Sequence, residues 1–235
     1  MNTQAKVAMV VGGGSGMGAA SARKLAAEGW SVAVMSSSGK GEALGEELGG
    51  LGFTGSNQSA DDLARFVAAA MAKWGRIDAL VNGAGHGPRA PLLEISDGDW
   101  HKGFDVYFLN VVRATRLVAP VMAAQGGGSI VNISTAWVGE PSAMFPTSAV
   151  ARAGLAADAK LFADEFAARN VRMNTVLPGW IDSLPATEER RESVPMKRYG
   201  RAGEVAELVA FLASDKSAYI TGQNLRIDGG LMRAV

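Results

Sequence analysis

The chain has 235 residues, 48% of them apolar, which is enough for one large core in a single domain. Its 23 basic and 23 acidic residues leave a formal net charge of +0, without the basic excess that nucleic acid or an anionic membrane surface selects. Cysteine is absent, which excludes disulfides, thiolate metal sites and cysteine nucleophiles.

The N-terminus MNTQAKVAMVVGGG lacks the long apolar core and cleavage pattern of a signal peptide, and no run reaches the roughly 18 apolar residues of a membrane span, so a cytoplasmic protein is the default expectation. Lys6 to Val11 reads as a buried strand, followed by a helix from about Gly16 to Glu28. Ser31 to Met35 and Ala79 to Asn82 read as further strands, then Ser129 to Ile133, Arg172 to Leu177 and Leu225 to Asp228. Apolar strands without alternation imply a sheet covered on both faces. Strand–helix alternation implies parallel pairing with right-handed crossovers. Gly126-Gly127-Gly128 is a loop entering a strand, and the polar, charged run Pro185 to Tyr199 reads as a mobile flap, at about 183–200, beside the ligand cleft.

Between the first strand and helix lies Gly12-Gly13-Gly14-Ser15-Gly16-Met17-Gly18. Glycines permit a tight turn and close approach of a pyrophosphate to the backbone, and the helix N-terminus offers free N–H groups to its charge. The flanking strand and helix make this more specific than a bare glycine pattern.

In five ordered motifs the sequence resembles the short-chain dehydrogenase/reductase family. They are Gly12-x-x-x-Gly16-x-Gly18, Gly75 through Gly85 with Asn82-Gly83-Ala84-Gly85, Gly128 through Ser134, Arg172-Met173-Asn174 through Pro178-Gly179, and Ile220-Thr221-Gly222-Gln223 with Asp228-Gly229-Gly230. The resemblance covers nearly the whole chain. It implies a Rossmann-type doubly wound parallel sheet of seven strands with helices on both faces. It implies a nicotinamide dinucleotide, a small carbonyl or alcohol substrate, and a homodimer or homotetramer packed through helices. The helix from about Val150 to Arg169 is the natural interface; alternatively its Ala-rich face packs on the sheet.

The family's chemistry uses Asn, Ser, Tyr and Lys, and all four positions differ here. Trp100, Thr115, Arg116 and Pro120 set a register that puts Tyr107 at the Asn position, with Asn110 one turn later. Thr135 takes the Ser position, Ser148 the Tyr position and Arg152 the Lys position; Phe145, paired with Ala149, is the competing register. Thr keeps the hydroxyl, and Arg keeps the charge with a different geometry. Ser for Tyr is severe, because an aliphatic alcohol is a far poorer acid than a phenol. Losing a positioned acid costs roughly 10²–10⁴ in rate. Tyr107 offers a replacement phenol if Arg152 lies beside it; otherwise it fills the volume vacated at position 148.

The cofactor determinants are softened as well. Ser36, at the end of the second strand, stands where an acid would hold the adenosine 2′-OH. Ser36, Ser37 and Ser38 with Lys40 tilt the reading toward NADP(H) over NAD(H), unless they form only a solvated turn. Ser56-Asn57 replaces an Asp-Val pair beside adenine, whereas Asn82, Ala84, Gly85, Pro178, Gly179 and Ile181 fit the cofactor-lining backbone.

His86 is a candidate acid/base or substrate contact, or a half-exposed loop residue; His101 reads as helix surface. Trp137, Glu140, Met144, Phe145, Trp180 and Asp182 are expected around the substrate space, as an aromatic, partly acidic pocket, and Arg89 is a candidate anion contact. No cluster has metal-ligand spacing, and Ser148 with His86 or Asp182 forms no nucleophile triad. Three readings follow: an NAD(P)-dependent oxidoreductase with a non-standard proton donor, a silent dinucleotide-binding homologue acting as sensor or oligomer partner, and a non-redox enzyme using the same pocket.

Overall fold

Seven parallel strands form one sheet in a computed structural model that describes residues 5–234. They are β1 (Val7–Val11), β2 (Ser31–Ser36), β3 (Leu51–Thr54), β4 (Ala79–Asn82), β5 (Gly128–Ile133), β6 (Val171–Pro178) and β7 (Asn224–Ile227). Their spatial order is β3-β2-β1-β4-β5-β6-β7. The helices are α1 (Gly16–Ala27), α2 (Lys40–Glu47), α3 (Ala60–Trp74), α4 (Asp97–Phe104), α5 (Asn110–Ala124), α6 (Pro146–Phe166), α7 (Glu188–Ser193) and α8 (Ala202–Ala213). This is the doubly wound fold anticipated from the sequence.

Each face of the sheet has its own core. Ala8 and Val10 of β1 pack with Leu25 of α1 and with Val205, Val209 and Leu212 of α8. Met9 and Val11 point the other way, to Leu63 and Phe66 of α3 and to Val118 and Met122 of α5. Both sides of the strand are therefore dry, which is why it reads as an unbroken apolar run. The expected strand boundaries agree within one or two residues.

The edge strand β3 was absent from the sequence reading. Its LGFT stretch owes its place to glycines rather than to an apolar pattern: a Cβ on Gly52 would lie 2.1 Å from the Glu42 carbonyl oxygen, and one on Gly45 would lie 2.4 Å from the Gly52 nitrogen. Helix α2 can lie this close to β3 only without those side chains.

Local signals set the helix ends. The Ser59 hydroxyl accepts from the Asp62 N–H, opening α3, and Ser96 does the same from Asp99 at α4. Gly75, at φ +70°, ends α3 in the left-handed conformation. The continuous helical stretch Asp97–Ala124 is long and apolar enough to cross a membrane by composition alone, yet half of its most apolar window is buried inside the protein. Within it, Asp105–Leu109 winds as a π-helix centred on Tyr107. The Ala-rich face of α6 does pack inward, with Ala151, Leu155 and Ala159 buried, while Val150 and Leu161 face out.

The charged run after β6 holds α7 and is tied down at several points. The Thr187 N–H donates to the Tyr199 hydroxyl (3.0 Å), Met196 N–H donates to Gly229 O (3.3 Å), and Val194 is buried. At the switch point between β1 and β4 the strand order reverses, and the loops at the carboxyl ends of β1, β4, β5 and β6 open a crevice there.

Candidate active site

A cavity of about 560 Å³ occupies this crevice, within the range typical of small-molecule sites. One end is the glycine loop. Gly12 and Gly16 have φ of +72° and +53°, where L side chains are strained. A Cβ on Gly18 would lie 2.4 Å from Gly12 O, and one on Gly14 would meet the Ser36 hydroxyl at 2.6 Å. Ser15, the residue before α1, makes no side-chain cap, and the first turn carries no acid. The opening N–H groups of α1 have no partner within the helix, and a pyrophosphate fits such a cradle.

Beside the carboxyl ends of β2 and β3, Ser36, Ser37, Ser38, Ser56, Asn57 and Gln58 line the cavity. The Ser36 oxygen accepts from the Gly41 N–H (2.8 Å), so one of its lone pairs holds the start of α2. Asn57 donates to Gly83 O (3.2 Å), tying this loop to the end of β4. Lys40, one of the groups expected to receive a 2′-phosphate, is not part of the lining.

Met17, Ala84, Gly85, Pro178, Gly179 and Ile181 line the middle of the crevice. Asn82 does not: it is buried below, donating to the Asn132 amide oxygen (3.0 Å) and joining β4 to β5. Ser134, Ser183 and Leu184 also line the crevice, and sequence reasoning missed them. Ser134 had a signal, since it sits between Ile133 and Thr135 at a strand end. Its hydroxyl is buried without a partner. Ser183 and Leu184 follow an irregular loop and had none.

The other end gathers all four altered positions, Tyr107, Thr135, Ser148 and Arg152. Ser148 and Arg152 stand four residues apart on α6, hence on one helix face. Ala149, the partner of Phe145 in the competing register, is outside the lining. Asn110 is buried, its amide 3.5 Å from Gly83 O, and also outside the lining.

Tyr107 is 5% exposed. Its hydroxyl oxygen accepts from the Gly87 N–H at 2.5 Å. The phenol proton is given to no protein acceptor among the described residues. Arg152 lies with its guanidinium carbon 4.7 Å from the centre of the Tyr107 ring. Arg152 donates to Ile133 O (3.0 Å), while its Nε is buried without a partner. Burial pushes its pKa down to about 10, partly opposed by Tyr107, so it is still a cation at neutral pH.

His86, Trp137, Phe145 and Trp180, expected around the substrate space, line the cavity with Arg89. The expected acidic character is not there. Asp182 accepts from the Ala202 N–H (2.9 Å) to open α8, and Glu140 accepts from the Ala234 N–H. Neither reaches the cavity, and Met144 lies outside it, exposed. His101 is an exposed helix residue. No group of three metal-ligating side chains occurs among the described residues.

A family model described as Enoyl-(Acyl carrier protein) reductase matches residues 11–232. The chain belongs to the short-chain dehydrogenase/reductase family. It is 36% identical to the 3-oxoacyl-(acyl-carrier-protein) reductase FabG of Thermotoga maritima, over 99% of this chain and 100% of that protein. It is 33% identical to the FabG of Staphylococcus epidermidis, over 96% of this chain and 98% of that one. It is 35% identical to a 3-oxoacyl-(acyl-carrier-protein) reductase of Synechocystis, over 97% of each. The glycine loop and the four altered positions line one crevice.

Proposed function

We propose that this family member is an NAD(P)(H)-dependent reductase of a small carbonyl compound in which the phenol of Tyr107 replaces the missing donor at position 148. The relatives named above are reductases, which supports the reaction class. The observation that carries the reading is the Tyr107 hydroxyl itself: its oxygen takes the Gly87 N–H, its proton is uncommitted, and a guanidinium lies over its ring.

A reduced nicotinamide supplies a hydride when bound. Gly12, Gly14, Ser15, Gly16 and Met17 would hold the diphosphate, and the serines at 36 and 37 the adenosine ribose, with NADP(H) favoured because no carboxylate stands there to repel a 2′-phosphate. Thr135 and Ser148 supply hydroxyls to orient the carbonyl oxygen. The Tyr107 proton passes to that oxygen as it becomes an alcohol. The phenolate left behind keeps the Gly87 N–H as a donor and lies beside the Arg152 guanidinium. Bulk water then restores the proton. Arg152 in this scheme is a positioning residue that also offers N–H groups to ribose hydroxyls.

The outward faces of α4 to α6 expose Phe104, Leu109, Val150 and Leu161. We assign them to a homodimer or homotetramer interface, and expect a mass above one chain in light scattering. The reductase reading is tested by titrating the protein with NADPH and NADH while following nicotinamide fluorescence. Saturable enhancement, stronger with NADPH, is expected. No binding of either form sinks the reading.

A further inference from the structure

The substrate end of the cavity is built from three touching aromatic rings. Trp137 and Trp180 have centroids 4.5 Å apart, Trp137 and Phe145 5.6 Å, and Phe145 and Trp180 6.2 Å. An arginine lies against each of two of these rings. The Arg89 guanidinium carbon is 4.6 Å from the centre of Phe145, and that of Arg190, on α7, is 4.4 Å from the centre of Trp180.

Neither guanidinium has a carboxylate partner among the described residues, although the basic groups that follow Arg190 in sequence do. The neighbouring Arg191 pairs with Glu188, and Lys197 with Glu192. The lining of the cavity contains Arg89, Arg152 and His86 and no aspartate or glutamate at all. A chain with formal net charge +0 has thus set two guanidiniums, Arg89 and Arg152, in one crevice without a carboxylate in its lining. Such a one-signed, low-dielectric cleft focuses its field on an anion.

The diphosphate of a dinucleotide does not account for Arg89. That group would lie at the glycine loop, whereas Arg89 lines the cavity against Phe145 in the aromatic wall. Arg190 lies outside the lining and backs the Trp180 ring of the same wall. A guanidinium stacked on a ring keeps its N–H edge free for the two oxygens of a carboxylate. The wall itself offers π-faces to a flat ring, with offset or edge contacts worth about 0.5–1.5 kcal/mol beyond area burial.

We infer that the substrate is an aromatic oxo-acid, its ring held by Trp137, Phe145 and Trp180 and its carboxylate by Arg89 with support from Arg190. This rests on the reductase reading for the word substrate, but the binding claim stands without it. It also separates this chain from an aliphatic acyl thioester specificity, which needs neither an aromatic wall nor a free guanidinium inside the crevice.

The test uses benzoylformate, its neutral methyl ester, and the aliphatic acid pyruvate, each titrated into the full chain without coenzyme while following tryptophan fluorescence and calorimetric heat. Benzoylformate is expected to bind at least tenfold more tightly than either of the others. Arg89→Gln should remove most of the preference over the ester, and Arg190→Gln a smaller part. Both residues sit at or near the surface, so a circular-dichroism melt serves as the folding control. Equal affinity for acid and ester, or an unchanged preference in both variants, overturns the inference. Failure of nicotinamide binding with the benzoylformate preference intact would instead remove the reductase reading and keep this one.

Discussion

Two arginines are buried in this protein to nearly the same extent, Arg152 at 7% and Arg172 at 8% exposure, and they differ in how their donors are met. Arg172, on β6, donates to Ser217 Oγ (3.0 Å), Ser214 O (3.0 Å) and Ile220 O (3.3 Å). It gathers the end of α8 and the loop before β7, and Asn174 holds the same loop through Ile220 O and the Gln223 N–H. Arg152 has a single carbonyl acceptor and an unpartnered Nε beside an open cavity. Burial lowers the pKa of both. A buried charge surrounded by acceptors is part of the scaffold; one left short of acceptors is held ready for something that is not part of the chain. The comparison teaches that burial alone does not distinguish a structural cation from a functional one, whereas the count of satisfied donors does.

The sharpest way to break the comparison is at the group that Arg152 serves. Tyr107→Phe should lower turnover of a carbonyl substrate by roughly 10²–10⁴ with little change in nicotinamide affinity, whereas Ser148→Ala should cost far less. Steady-state kinetics with a coenzyme fluorescence titration read both. If the phenylalanine variant turns over like the parent, Tyr107 is only a filler of volume. Next in size, Arg172→Met should destabilise the fold by about 2–4 kcal/mol, because it removes three hydrogen bonds at once, to Ser217 Oγ, Ser214 O and Ile220 O, in a part-buried setting. A chemical melt that leaves the midpoint unmoved would refute the scaffold role.

Arg152→Met should do the opposite. Its lowered pKa means that the native state disfavours the cation, and this penalty is fully present below about pH 10, including neutral pH, and fades as pH rises through that value. Removing the charge should therefore stabilise the protein by roughly 1–4 kcal/mol and raise the midpoint by several degrees, while coenzyme affinity falls. Loss of stability in this variant would mean that Arg152 is as structural as Arg172.

Sequence alone determined more of the fold than of the site. The apolar runs of β1, β4, β5 and β6 were legible because strands covered on both faces have no polar side, and the Gly12 to Gly18 loop because positive φ and close approach leave a glycine signature. Spacing also carried Ser148 and Arg152 to the cavity, since residues four apart on a helix share a face. Only the tertiary structure decided β3, whose place depends on glycine contacts between elements. It alone showed that the Asn82 side chain is spent on Asn132 within the sheet, that Asp182 and Glu140 are committed elsewhere, and that Arg190 reaches Trp180 from α7. Local pattern follows from the covalent chain and its solvent exposure; which hydrogen bonds are already taken depends on partners distant in sequence, and those exist only once the chain has folded.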